Sequence, residues 1–284
     1  MIFQTNKTLN LKGKLIDLST PIVMGILNIT PDSFYDGGKY LRNESIISKA
    51  KQMLEEGATI VDVGGYSTRP GASVITEDEE IKRVIPIIDL LNKEFKGINI
   101  SVDTFRPNVA EAAIQAGACM VNDVTGGGET FEMYDILKKY KVAYVLMHSR
   151  GNPQTMTQLT DYKDIITDIV DYFVIRINKL KTHGILDIII DPGFGFAKNI
   201  NQNYHLLKNL SYLKSLNCAI LVGLSRKSMI YKQLNINAVE SLNGTSILHT
   251  LALQNGASIL RVHDVKEAME AIKLVEQYNR KYNE

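Results

Sequence analysis

Short β-branched runs in this sequence keep ending in side chains that can grip a polar ligand. The ends are Asn28, Asp62, Asp103, Asn122 with Asp123, Asp191, and Arg261 with His263. Lys227 follows another such run, in GLSRKSM. If the runs lie side by side and point the same way, these side chains converge on one mouth. Amides, carboxylates and cations gathered there present acceptors and donors to an organic anion. A metal centre is a poorer fit, because no HxH, HExxH or CxxC spacing occurs and the donor set is mixed. Any one of these residues could be a helix N-cap, where Asp and Asn are common, and a lone exposed lysine is ordinarily only solvated. Capping does not explain the repetition at so many run ends.

Three Gly-rich segments follow such runs: NITPDSFYDGG from Asn28, VGGYSTRPG from Val63 and DPGFGFAKN from Asp191. Their composition suits long, remodelling loops, and each carries charged or aromatic groups that a plain connector does not need. None matches GxxxxGK[ST] or GxGxxG, so a nucleotide phosphate loop is not indicated.

The elements that must position these residues alternate in period. Strands are expected at Ile22 to Thr30, Thr59 to Gly64, Ile98 to Thr104, Cys119 to Val124, Val142 to His148, Ile188 to Asp191, Cys218 to Ser225 and Ser258 to His263. Helical spacing fills the gaps at Glu44 to Glu56, Glu77 to Phe95, Asn108 to Ala116, Phe131 to Tyr140, Asp161 to Thr182, Gln202 to Leu213, Leu242 to Asn255 and Val265 to Tyr278. Three helix-to-strand junctions repeat one theme, EEGATIVDV, QAGACMVNDV and QNGASILRVHDV, with Gly where a helix C-cap wants positive φ. Eight such units without a linker predict an α/β fold: one domain over residues 1–284, a closed (β/α)8 TIM barrel with a short N-terminal β-hairpin across its bottom. An open Rossmann-like sheet is the alternative, since sequence does not display closure.

The composition sets bounds. The 284 residues are 45% hydrophobic and 22% charged, enough for a sizeable core. A net charge of +1 provides no global field for nucleic acid or anionic membrane, so any anion site must be local. Cys119 and Cys218 open apolar runs and read as buried thiols. No segment offers the ~20 apolar residues of a membrane span, and the expected compartment is the cytoplasm.

With these residues assembled, the sequence resembles the pterin-binding barrels, and within them the dihydropteroate synthase family. The likeness runs from about Gly25 to Asp264 through GILNITPDSFYDGG, DVGGYSTRPGA, SVDTFRP, VNDVTGG, LMHSRGNPQTM, DPGFGFAK, GLSRKSMI and RVHDV. It implies condensation of a pterin-methyl diphosphate with 4-aminobenzoate, assisted by Mg2+, in a homodimer. It implies a catalytic set of Asp32, Arg69, Asp103 and Lys227. Asp191 would grip the pterin 2-amino group and N3, Asp103 and Asn122 the remaining ring nitrogens, and Lys227 O4 and N5. Met147 and Phe196 would lie near the rings. Arg261, His263 and Asn28 would form the diphosphate end, with Asn28 the protein ligand to Mg2+. Asp32 and Phe34 in the first loop, and Thr68, Arg69 and Pro70 in the second, would close over the diphosphate and shape the aminobenzoate slot. Ser228 would receive the aminobenzoate carboxylate. The pterin-methyl bond would break largely before the amine attacks. Tyr66 departs from the family pattern, in which Glu often stands.

Two rivals stand beside this reading: a pterin-binding methyltransferase, which shares the barrel and the pterin-gripping acids but needs no diphosphate subsite, so that Arg261, His263, the STRPG loop and Lys227 argue against it, and a pterin-binding module with weak or no turnover. Among the histidines, His249 reads as core, His183 and His205 as helix surface, and His148 as either a site residue or a loop-orienting partner.

Overall fold

The computed structural model describes residues 8–29, 39–66, 75–128, 131–151, 155 and 158–280. Eight parallel strands close into a barrel in chain order: β3 (Ile22–Asn28), β4 (Ile60–Gly64), β5 (Ile100–Asp103), β6 (Met120–Asp123), β7 (Ala143–Met147), β8 (Ile188–Asp191), β9 (Ala219–Val222) and β10 (Ile259–Val262), with β10 paired back onto β3. The eight expected strands are these eight, mostly a residue or more shorter at their ends. Closure removes the open-sheet alternative.

The helices are α1 (Lys39–Glu55), α2 (Glu77–Glu94), α3 (Pro107–Gln115), α4 (Glu132–Tyr140), α5 (Ile165–Thr182), α6 (Ile200–Lys208), α7 (Ser228–Leu234), α8 (Leu242–Gln254) and α9 (Val265–Asn279). Periodicity reads α5 too early, since Asp164 is its N-cap and accepts from Thr167 N. It also merges α6 with a separate 3-10 segment, Leu210–Leu216. It misses α7, whose seven residues span barely two turns and show little period.

The repeated Gly-Ala junctions turn out to be one device used three times. Gly57, Gly117 and Gly256 have φ of +106°, +116° and +101°. In each, the alanine that follows donates to the carbonyl five residues back: Ala58 to Met53, Ala118 to Ala113 and Ala257 to Ala252, at 2.9, 2.9 and 3.0 Å. These are the paired bonds of a Schellman stop, which only a residue at ease with positive φ provides cheaply. Each stop feeds the next strand into the barrel at a fixed height.

The hairpin of β1 (Thr8–Leu11) and β2 (Lys14–Asp17) lies across the barrel bottom, as expected. Its Leu9 and Leu11, with Leu18, pack on the inward-pointing Met24, Ile60, Met120, Val145, Ile189, Leu221 and Ile259. The backbone N of Asn10 donates to Asp187 Oδ1 at 2.8 Å, tying the hairpin to the start of β8. Among the described residues no helix is long and apolar enough to cross a membrane.

Candidate active site

Side chains alternate along a strand, so the parity that places Met24, Ile60, Met120, Val145, Ile189 and Ile259 in the lower barrel carries upward two residues at a time. The inward positions that follow at the strand ends are Asn28 (past Ile26), Asp62, Asp103, Asn122, Met147, Asp191, Gly223 and Arg261. The barrel lining therefore changes from apolar to polar near the strand ends. Register supports the grouping: Gly64 lies beside Asn28 and Asp103, Asp103 beside Asn122, and Met147 beside Asp191. Glycine at 64 leaves room, since a Cβ there would stand 3.4 Å from Asp103 Cβ and 3.6 Å from Asn28 Oδ1.

Arg261 organises one side of the mouth. Its Nε donates to Asp62 Oδ2 at 2.7 Å and its Nη2 to Asp103 Oδ2 at 2.5 Å, while Asn122 Nδ2 also donates to Asp62 Oδ2 at 3.0 Å. Charge-assisted bonds of this length are the strong kind. Burial pushes the Asp103 carboxyl above the usual range, Arg261 pulls it back down, and nearby Asp62 adds to the rise. Burial works against the Arg261 charge too, but Asp62 and Asp103 more than offset it.

The other side belongs to Asp191 and Lys227. Asp191 is 6% exposed and accepts from Gly193 N at 2.7 Å. Burial raises its pKa, against the lowering influence of Lys227, Arg261 and Lys198. Lys227 donates from Nζ to the Phe194 carbonyl, and Nζ lies 4.9 Å from the centre of the Phe196 ring. Burial brings its pKa down to about 8, with Asp191 opposing. His263 exchanges contacts with Ser225, whose Oγ lies 3.0 Å from Nδ1 and accepts from His263 N at 3.2 Å. Ser228 opens α7 directly after Lys227.

The structure thus gathers Asn28, Asp103, Asn122, Met147, Asp191, Phe196, Lys227, Ser228, Arg261 and His263 around one end of the barrel. Asp32, Phe34, Thr68, Arg69 and Pro70 lie outside the described residues. Asp123 is corrected: its parity points out of the barrel, where it accepts from Thr125 N, Gly127 N and Tyr144 OH and shapes the loop after β6. Asp62 was visible as a strand end but drew no role, although it anchors both Arg261 and Asn122; its inward parity two residues before Gly64 was the available signal. Lys198 and Ser225 drew no role either, since nothing in a loop lysine or serine announces a buried partner. His249 is buried on α8, and His183 caps α5.

A magnesium ion fits the mouth in one respect. Asn28 offers an amide oxygen at its rim, and among the described residues no cluster of three His, Cys, Asp or Glu competes for a metal. A site with a single protein oxygen suits a cation that keeps water and phosphate oxygens in its shell.

Comparison with known proteins agrees with the geometry. The family model for "Pterin binding enzyme" matches residues 24–263. The dihydropteroate synthase of Escherichia coli strain K12 is 42% identical over 267 residues, covering 93% of this chain and 94% of that protein. The solved dihydropteroate synthase of Xanthomonas albilineans with 4-aminobenzoic acid superposes with a TM-score of 0.89 at 37% identity, covering 98% of this chain and all of the other. The same enzyme in complex with 7,8-dihydropteroate superposes with a TM-score of 0.86 at 35% identity, covering 96% and 99%.

Proposed function

The chain belongs to the dihydropteroate synthases of the pterin-binding enzyme family, and we propose that its barrel mouth performs their reaction by ionisation before attack. It is a transferase of folate biosynthesis: (7,8-dihydropterin-6-yl)methyl diphosphate and 4-aminobenzoate become 7,8-dihydropteroate and pyrophosphate. The observation carrying the assignment of roles is that the inward Asp103, Asn122, Asp191 and Arg261, at the ends of β5, β6, β8 and β10, meet Lys227 from the loop after β9 at one mouth.

Asp191, ionised, accepts from the pterin 2-amino group and N3, two donors on one edge. Asn122 and Asp103 face the remaining ring nitrogens, and Lys227 donates to O4 and N5 at the opposite edge. Met147 and Phe196 provide apolar contact, and Ser228 meets the aminobenzoate carboxylate. The methylene carbon–oxygen bond breaks with its electron pair leaving on pyrophosphate. The amine lone pair then forms the new carbon–nitrogen bond and the nitrogen sheds a proton. No protein nucleophile takes part. The positive charge on the pterin-methyl group is stabilised by Asp103, and the negative charge on the leaving group by Arg261 and His263, both as fixed electrostatics. Asn28 would hold Mg2+, which when bound would neutralise diphosphate charge. By the family resemblance, Asp32, Phe34, Thr68, Arg69 and Pro70, outside the described residues, would act on the diphosphate and the aminobenzoate.

Ionisation first makes a specific expectation: labelled pyrophosphate exchanges into the pterin-methyl diphosphate in the absence of 4-aminobenzoate, and chelation of Mg2+ stops it. Strict dependence of exchange on the amine would point to direct displacement.

Lys227 makes charge-assisted bonds only while it is protonated. Pterin affinity should therefore fall as pH rises through about 8, and Lys227→Arg should flatten that limb. Calorimetric titration across this range decides; an unchanged limb in the variant would remove Lys227 from the pterin edge.

The enzyme acts in the cytoplasm as a homodimer in this proposal. Ile247 and Leu251 on α8, and Leu274 and Tyr278 on α9, form two exposed apolar pairs at helical spacing on neighbouring helices, 54, 47, 72 and 79% exposed. A sedimentation mass of one chain would count against the dimer.

A further inference from the structure

Lys198 has no part in the roles above, yet it is only 7% exposed. Its Nζ donates to the carbonyls of Gly193 and Phe196 at 3.0 and 2.9 Å and lies 3.0 Å from His148 Nδ1. An ammonium has three N–H donors and no acceptor, so these three partners saturate it. The third requires His148 to be neutral with its proton on Nε2. Burial, followed by the charges of Lys198 and Arg150, holds that imidazole down at about 2, and it stays neutral.

None of the three acceptors is a carboxylate. Burying a cation without a direct counter-ion is costly, so the position calls for a reason. The backbone around it supplies one. Gly193, Gly195 and Ala197 alternate into positive φ at +69°, +82° and +49°, and alanine adopts that region only when its surroundings enforce it. The winding brings the carbonyls of residues 193 and 196 onto one ammonium. A Cβ at 193 would stand 2.1 Å from the His148 carbonyl oxygen, so the loop lies directly on the exit of β7.

Three candidate pterin contacts hang from this loop. Asp191 accepts from Gly193 N at 2.7 Å, and its own carbonyl accepts from His148 N at 2.8 Å. Lys227 donates to the Phe194 carbonyl, and the Phe196 ring lies beside its ammonium. Burial brings the Lys198 pKa down to about 7, Asp191 opposes the fall and Lys227 and Arg150 add to it, so the binding comparisons belong below that pH, where the amine is an ammonium.

We propose that Lys198 is a positioning residue for pterin recognition: its ammonium winds the 191–198 loop onto His148 and so fixes Asp191, Phe196 and Lys227 relative to one another without touching the ligand. The inference rests on the barrel mouth being the pterin site, and binding of a dihydropterin by the unaltered enzyme tests that part separately. Lys198→Met keeps the bulk and removes charge and donors. It should weaken dihydropterin binding by about tenfold or more while leaving the KM for 4-aminobenzoate at saturating pterin within about threefold. In Lys198→Ala, ethylammonium should restore part of the lost pterin affinity, whereas it should not help the unaltered enzyme. If the unaltered enzyme binds dihydropterin and a folded Lys198→Met binds it within about threefold as well, the positioning role is overturned. Should Lys198→Met not fold, failure of ethylammonium to improve pterin binding by Lys198→Ala overturns it in the same way.

Discussion

Asp191→Ala should lose pterin binding by a factor of about a hundred or more while the barrel remains folded. The carboxylate ends β8 at an inward position and spends one bond on Gly193 N, a loop contact rather than a core one. The two pterin donors it is proposed to accept are charge-assisted bonds worth roughly 1.5–3 kcal/mol each, and both vanish together. The loss of a negative charge beside Lys227 and Lys198 is tolerable, since burial already brings those amines down to about 8 and about 7 and they can release a proton instead of standing uncompensated. Calorimetry on the variant, with its melting curve recorded alongside, separates the two effects. Retained pterin affinity would move the recognition edge away from β8.

Arg261→Met should be the most destabilising single change at the mouth, by about 3–5 kcal/mol near neutral pH. The guanidinium is the direct partner of both Asp62 and Asp103, and Asp62 is fully buried. Without it, two carboxylates share one site, and Asp62 keeps Asn122 Nδ2 as its partner among the described residues. Asp103 already has its pKa raised by burial, and removal of Arg261 raises it further. A carboxyl whose folded pKa exceeds its unfolded one contributes stability below the unfolded value that is lost as pH rises through the folded value. The deficit of the variant should therefore be small in acid and widen toward neutral and alkaline pH. Denaturant unfolding at several pH values measures it, and Asp62→Asn in the same chain should recover part of the loss. A deficit independent of pH would mean that Arg261 stabilises by packing and not through these carboxylates. Turnover should also fall in Arg261→Met, because the leaving-group charge and the placement of Asp103 depend on one side chain.

Much of this arrangement was legible in the sequence because it follows from short-range rules. Strand alternation set which of two adjacent residues faces the barrel: Asn122 inward and Asp123 outward, a distinction that the run-end pattern alone did not draw. The repeated Gly-Ala junctions were legible because a Schellman stop demands positive φ at one position. The missing parts are those fixed by distant partners. Asp62 joins residues 60 and 199 positions away, Asn122 and Arg261. Lys198 finds His148 across 50 residues, and a lysine in a glycine-rich loop looks the same whether solvated or buried. The boundary between α6 and the 3-10 segment also escaped, since the apolar spacing runs through both while the bond pattern changes at Asn209.

The central claim is that this mouth makes dihydropteroate. Purified enzyme incubated with (7,8-dihydropterin-6-yl)methyl diphosphate, 4-aminobenzoate and Mg2+ should yield 7,8-dihydropteroate and pyrophosphate in equal amounts, with both losses coupled in Asp191→Ala. Substrates left intact by folded enzyme that still binds pterin, or methyl transfer to a corrinoid protein in place of pyrophosphate release, would contradict it.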